Sequence, residues 1–202
     1  MHYVIQLVIL IFSAIVHEVM HGAVAEKLGD NTARLEGRIT LNPLPHIDPM
    51  WSVVIPLFLM MVGSPVVLGA AKPVPVNFNN LRNPKRGMAL VSLAGPLSNF
   101  GLAILFALPL KFGLATTQLF TEFLVQAVLI NLVLGVFNLI PIPPLDGSKV
   151  LASFAPDKWM YKILSYEQYG FILVFLFLYL GVLDKILWPV VVFFFRAFGF
   201  TL

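Results

Sequence analysis

Residues 3–28 form an apolar run of transmembrane length that carries His17, Glu18 and His21 in its C-terminal half. In lipid every backbone polar group must be satisfied within the segment, so a run like this folds as a helix. An ionisable side chain inside it is costly, and three within five residues require compensation from a bound ion or from neighbouring groups. Positions i and i+4 share one helix face, so His17 and His21 aim two imidazoles at one point while Glu18 reaches the adjoining volume. This is the H-E-x-x-H spacing of zinc hydrolases. Two imidazoles hold the ion, a third ligand comes from elsewhere, and the open position carries a water that Glu18 can deprotonate. The plainer reading is a pair of helix histidines packed in a bundle core.

Composition narrows the class. The chain has 202 residues, 59% hydrophobic and 11% charged, against roughly 25% charged in soluble domains. It reads as a multi-pass integral membrane protein with one membrane-embedded domain over residues 1–202, a core at about 8–152 and further hydrophobic segments at about 168–200. With no cysteine, a metal site must use His, Asp or Glu. The net charge of +3 reads as an orientation signal and not as a nucleic-acid footprint. The N-terminal segment lacks a basic leader and a small-residue cleavage site, and is expected to be a retained helix.

Along the chain, Gly29-Asp30-Asn31 supplies a stop for the first helix. The alternation in ARLEGRITL, residues 33–41, predicts a short strand, and the prolines that follow prevent a helix. Met50 to Leu68 is hydrophobic but interrupted by Pro56, Gly63 and Pro65. AKPVPVNF, residues 71–78, reads as extended, because Pro73 and Pro75 fix φ and bias the residues before them. Hydrophobic helices are predicted over Gly87–Leu110 and Thr121–Leu139, then a break at IPIPPLDG, then one or two spans over Gly170–Leu183 and Ile186–Phe200. The expected fold is all-α and polytopic. It is a bundle of about five to six hydrophobic segments, with a re-entrant helix and extended hairpin at about residues 50–76 and short membrane-associated strands.

Charge argues for that hairpin. If residues 50–70 cross the membrane, the cationic residues are split between its two sides. If the segment enters and returns, only Lys111 and Lys185 oppose a group that includes Lys27, Arg34, Lys72, Arg82, Lys85 and Lys149. The positive-inside rule then places the motif toward the cytoplasm and the N-terminus outside.

His46, Asp48 and Asp146 are the candidates for a third ligand. Asp146 is favoured, because a carboxylate where prolines unwind a hydrophobic helix needs metal or donor groups to compensate it. HEVMHG, AGPLSN and FNLIPIPPLDG, in this order, resemble the site-2 protease family of intramembrane zinc metalloproteases. The likeness is to its compact prokaryotic members without a soluble peptide-binding domain, and it covers residues 8–152. The resemblance implies a prokaryotic cell-membrane protease holding one zinc ion on His17, His21 and Asp146, with Glu18 as general base. It also suggests that Asn138 binds the substrate backbone or the developing oxyanion; a capping or interhelical amide is the alternative. Gly95, Pro96 and Asn99 are read as helix-packing residues.

Val74 and Pro73 are candidate substrate-binding positions, since an unwound segment of a transmembrane substrate could pair with the edge of residues 70–76. His46 is read either as a ligand that fills the fourth zinc position until substrate displaces it, as a residue supporting the ligands, or as a loop histidine at the membrane interface. Expected partners are transmembrane protein substrates and the lipid bilayer, with no nucleic acid. The competing class is a non-proteolytic membrane metal carrier or scaffold. A carrier needs ionisable groups along a path through the membrane, and residues 170–183 carry almost none.

Overall fold

The molecule was analysed as a computed structural model that describes residues 2–54, Phe58, Met61 and residues 71–200. Helix α1 (His2–Leu28) is followed by the single-turn α2 (Thr32–Leu35), then α3 (Pro84–Lys111) and α4 (Gln118–Asn138). Shorter helices complete the chain: α5 (Asp146–Phe154), α6 (Asp157–Ser165), α7 (Glu167–Tyr179) and α8 (Val182–Ala197). Local chemistry sets the long helices' starts. Asn83 accepts the Arg86 N–H at 3.2 Å, and Pro84 occupies the first helical position, where a missing N–H costs nothing. Thr117 caps α4 in the same way through the Phe120 N–H.

Among the described residues, three helices have the length and hydropathy to cross a membrane: Val4–Leu28, Pro84–Lys111 and Gln118–Asn138. Helix α3 packs against α1, α4 and α5, and α4 also packs on α1 and α8. Their shared core joins Ala103 and Ala107 of α3, Val128, Leu132 and Val136 of α4, and Leu187, Val191 and Phe195 of α8. Small residues on α3 let its neighbours approach closely, and branched and aromatic side chains fill the opposite faces. The protein is thus an all-α membrane protein.

One expectation needs adjustment. No strand forms among the described residues. The start of the expected strand is helix α2, because Asp30 Oδ1 accepts both the Thr32 N–H and its hydroxyl and starts a helical turn, which the Arg38 N–H closes on Ala33 O. Residues 71–77 are extended but pair with no neighbouring strand among the described residues. The body of the expected re-entrant hairpin, residues 55–57, 59–60 and 62–70, lies outside the described residues. The end of α1 and residues 77–82, which flank the whole connection, are described, and they meet. The Arg82 N–H donates to Leu28 O at 3.0 Å, and Asp30 accepts from the Asn77 N–H and the Asn80 amide at 2.7 and 2.9 Å. The chain therefore leaves α1 and enters α3 at the same end of the bundle.

Asp30 is the centre of this closure. Its carboxylate is fully buried, which opposes charge, but the Thr32 and Asn80 side chains and the Asn77 and Thr32 amides hold its pKa below the ordinary carboxylate value.

Candidate active site

The broken end of α4 builds one wall of the site. After Asn138 the chain turns through residues 139–145, and Asp146 opens α5. Gly147 makes the turn feasible: a Cβ there would lie 2.1 Å from Leu139 O and 2.7 Å from Ile140 O. Only a residue without a side chain lets α5 start against the frayed carbonyls of α4.

This turn brings Asp146 to α1. His17 Nε2 and His21 Nε2 lie 3.0 and 3.2 Å from Asp146 Oδ2, and all three side chains are buried. One ligand atom from each falls within 4.8 Å of the others. The hydrogen bonds behind the two rings decide what they present. His21 Nδ1 is 2.7 Å from Val91 O, a carbonyl that can only accept, so Nδ1 carries the proton. His17 Nδ1 is 2.6 Å from Asn99 Oδ1 and also donates. In the neutral rings, the form that binds a metal, each Nε2 then turns a lone pair toward the Asp146 carboxylate. Three donor atoms thus converge on one point, an arrangement that a metal cation stabilises and that protons on the Nε2 atoms satisfy in its absence. Two imidazole nitrogens and one carboxylate are a donor set suited to zinc, which leaves a position open for substrate.

Gly95 of α3 faces the same point. A Cβ added there would lie 2.5 Å from both Nε2 atoms. The glycine thus keeps clear the space in front of the two imidazoles, a role that the packing reading of AGPLSN did not contain. Asn99, one turn further along the same face, is likewise more than a packing residue. Both were visible in the motif, but a small residue or an amide in an apolar helix reads equally well as packing until the partner helix is known.

Glu18 points elsewhere. Its Oε2 accepts the Val74 N–H at 2.7 Å. Residues 71–77 lie along this side of the site, held through main-chain atoms: Lys72 N–H donates to His46 O and Lys72 O accepts from Arg38 Nη2, both at 2.8 Å. In an extended chain alternate residues face opposite edges, so residues 72 and 74 turn inward. Pro73 and Pro75 lie on the other edge and offer carbonyls without N–H groups. The Val74 side chain is buried, and its N–H is bonded to Glu18. His46 is not brought to the three-residue group: its Nε2 lies 2.9 Å from Thr40 O, and its main chain supports Lys72. Asn138 donates back to Leu134 O at 3.0 Å, as the capping reading expects, and also lines the cavity. That cavity, of about 720 Å³, is bordered by His17, Glu18, His21, Val74, Asn138 and Asp146, with Lys72 and Lys149 also on its wall.

Comparison with known proteins agrees with this chemistry. Residues 110–181, which include the Asp146 turn, match the profile of Peptidase family M50. The chain is 40% identical over 189 residues to the "Putative zinc metalloprotease YwhC" of Bacillus subtilis, covering 89% of this chain and 82% of that protein. The "Putative zinc metalloprotease Rip2" of Mycolicibacterium smegmatis is 28% identical over 94% of this chain and 72% of its own length. Its namesake in Mycobacterium tuberculosis is 34% identical over 69% of this chain and 52% of its own length. No solved structure matches. With 40% identity across most of both chains and a converging His, His and Asp donor set, the protein belongs to peptidase family M50, the site-2 protease family, and is a zinc metalloprotease.

Proposed function

We propose that this protease hydrolyses peptide bonds within or next to transmembrane segments of membrane-protein substrates, with His17, His21 and Asp146 as zinc ligands and Glu18 as general base. The observation that carries the reading is the convergence of two Nε2 atoms and a carboxylate oxygen on the wall of a cavity between membrane-length helices. A zinc ion bound there supplies Lewis acidity, which brings the pKa of water toward neutrality and polarises a carbonyl. Glu18 keeps Oε2 on the Val74 N–H, which leaves Oε1 to take a proton and pass it to the leaving amine. Asn138, at the end of α4 beside the cavity, hydrogen-bonds the substrate main chain with the amide positions that Leu134 O does not use.

A transmembrane helix hides its carbonyls in its own hydrogen bonds, so the substrate must unwind before attack. The outer edge of residues 73–75 offers carbonyl acceptors to N–H groups that unwinding frees. The joined ends of α1 and α3 carry Lys27, Arg82, Lys85 and Arg86, which supports a site opening toward the cytoplasm with the N-terminus outside.

The test uses detergent-purified native chain, Glu18→Ala and Asp146→Ala, with zinc content and cleavage of a single-span test protein as readouts. Native chain should bind one equivalent of zinc and cleave; Glu18→Ala should keep zinc and lose at least about 100-fold in rate; Asp146→Ala should lose zinc. Cleavage by Glu18→Ala at the native rate would overturn the mechanism. Because the chain has no cysteine, an Arg82→Cys variant reports orientation, and labelling from outside the cell would overturn the cytoplasmic assignment.

A further inference from the structure

Behind His17 lies a set of buried amides that no step above uses. Asn99 of α3 and Asn131 of α4 are fully buried in apolar helices, as is Ser13 of α1. Asn99 Oδ1 is 2.6 Å from His17 Nδ1, and Asn99 Nδ2 donates to Asn131 Oδ1 at 3.0 Å and to Ser13 O at 3.3 Å. Asn131 Nδ2 donates to Ser13 Oγ and to Ala127 O, both at 2.9 Å.

Two of these partners are main-chain carbonyls, which can only accept, and they set the direction of every other bond. Ala127 O requires the NH2 of Asn131, so the Asn131 oxygen must face Asn99. Ser13 O and that oxygen together require the NH2 of Asn99, so the Asn99 oxygen must face His17. An oxygen there admits only a protonated Nδ1. The reverse orientation of Asn99 would set its oxygen against two acceptors in a fully buried site, a mismatch of the kind that native interiors avoid. His21 reaches the same state by one bond to the main chain of α3, at Val91 O. His17 has no such carbonyl, and three helices cooperate to supply the acceptor.

We infer that Asn99, its orientation set by Ser13 and Asn131, is the positioning residue that holds His17 in the Nδ1–H tautomer with its Nε2 lone pair directed at the site. The inference rests on the reading that His17 is a zinc ligand. Neighbours that hold a ligating histidine by its other nitrogen are worth about 10- to 100-fold in metal affinity. The relay also ties α1, α3 and α4 together at the depth of the site, so α4, which carries no ligand in the region of the relay, contributes to how the metal is held.

Zinc affinity by chelator competition, thermal melting, and the histidine side-chain 15N resonances of the zinc-free protein test it together. In native protein His17 should show a protonated Nδ1. Asn99→Leu should bind zinc about 10- to 100-fold more weakly and lose that signature. Asn99→Asp keeps an acceptor for His17 but gives up both donated bonds; it should melt lower yet bind zinc more tightly than Asn99→Leu and retain the Nδ1–H signal. A residue that only packs would do the opposite, with zinc affinity following melting temperature. The inference is overturned if native His17 leaves Nδ1 unprotonated, or if folded Asn99→Leu binds zinc as native does. If His17→Ala itself leaves zinc binding intact, it is the ligand reading that fails.

Discussion

His17 and Glu18 are adjacent in sequence, yet they belong to two walls built on different principles. One residue along a helix is a turn of about 100°, enough to direct one side chain to α3 and the other to residues 71–77. The His17 wall is helix against helix, with Nε2 atoms backed by Asn99 and Val91 and a glycine holding the space open. The Glu18 wall is one extended segment attached by main-chain bonds to Glu18, His46 and Arg38. The polar groups of the first wall are paired with one another and with main-chain atoms inside the bundle, which favours a rigid arrangement. The second can exchange partners, because an extended chain is held by hydrogen bonds of the same kind that a substrate would offer. Binding a metal requires the first property and admitting a polypeptide requires the second.

The sharpest way to break the helical wall is Gly95→Ala. A methyl 2.5 Å from both Nε2 atoms should displace the imidazoles and abolish zinc binding. The same change favours the helix by about 0.5–1 kcal/mol. A folded, zinc-free protein is the expected result. Native zinc content in Gly95→Ala would show that the imidazoles are free to move and that this wall is not rigid.

A smaller effect is expected on the extended wall. Val74→Pro removes the N–H that Glu18 accepts, in a stretch where Pro73 and Pro75 already favour extended backbone. A hydrogen bond to a charged group is worth about 1.5–3 kcal/mol, so cleavage should fall about tenfold or more while zinc content is unchanged. Val74→Ala, which keeps the N–H, separates the bond from the packing of the side chain. Equal rates for native and Val74→Pro would show that residues 71–77 do not hold the base.

The smallest effect concerns the closure below both walls. Asp30 has its pKa depressed in the folded protein, so its contribution is complete above the unfolded value near about 3.9 and is lost as pH falls through the lower folded value. Protection of the Asn77 amide from exchange should therefore hold from neutral pH down to the mildly acidic range and fall only in strong acid. In Asp30→Asn it should be weak at every pH. Protection that fades near neutrality would assign the closure to another group.

His17, Glu18 and His21 were legible because an ionisable cluster in an apolar run has few explanations, and the chemistry of Asp146 followed from a carboxylate among helix-breaking prolines. The long helices were legible for the same reason: hydropathy and capping are local, and their starts lie within a few residues of the expected ones. The strand at residues 33–41 failed because alternation is a weak signal beside a side chain such as Asp30 that starts a helical turn. His46 illustrates another limit, since a histidine near a metal motif cannot be told from a loop histidine until its ring is seen to face Thr40 O.

The sequence by itself determined a membrane-embedded helical chain, the helix that carries the motif, and the donor types from which a metal site could be built. Those follow from local hydropathy, helical periodicity and side-chain chemistry. Tertiary structure decided which nitrogen each histidine presents, why residue 95 carries no side chain, and that Glu18 leans on Val74. Each depends on atoms tens of residues apart in the chain, and hydrogen-bond direction and close approach exist only once the helices are packed.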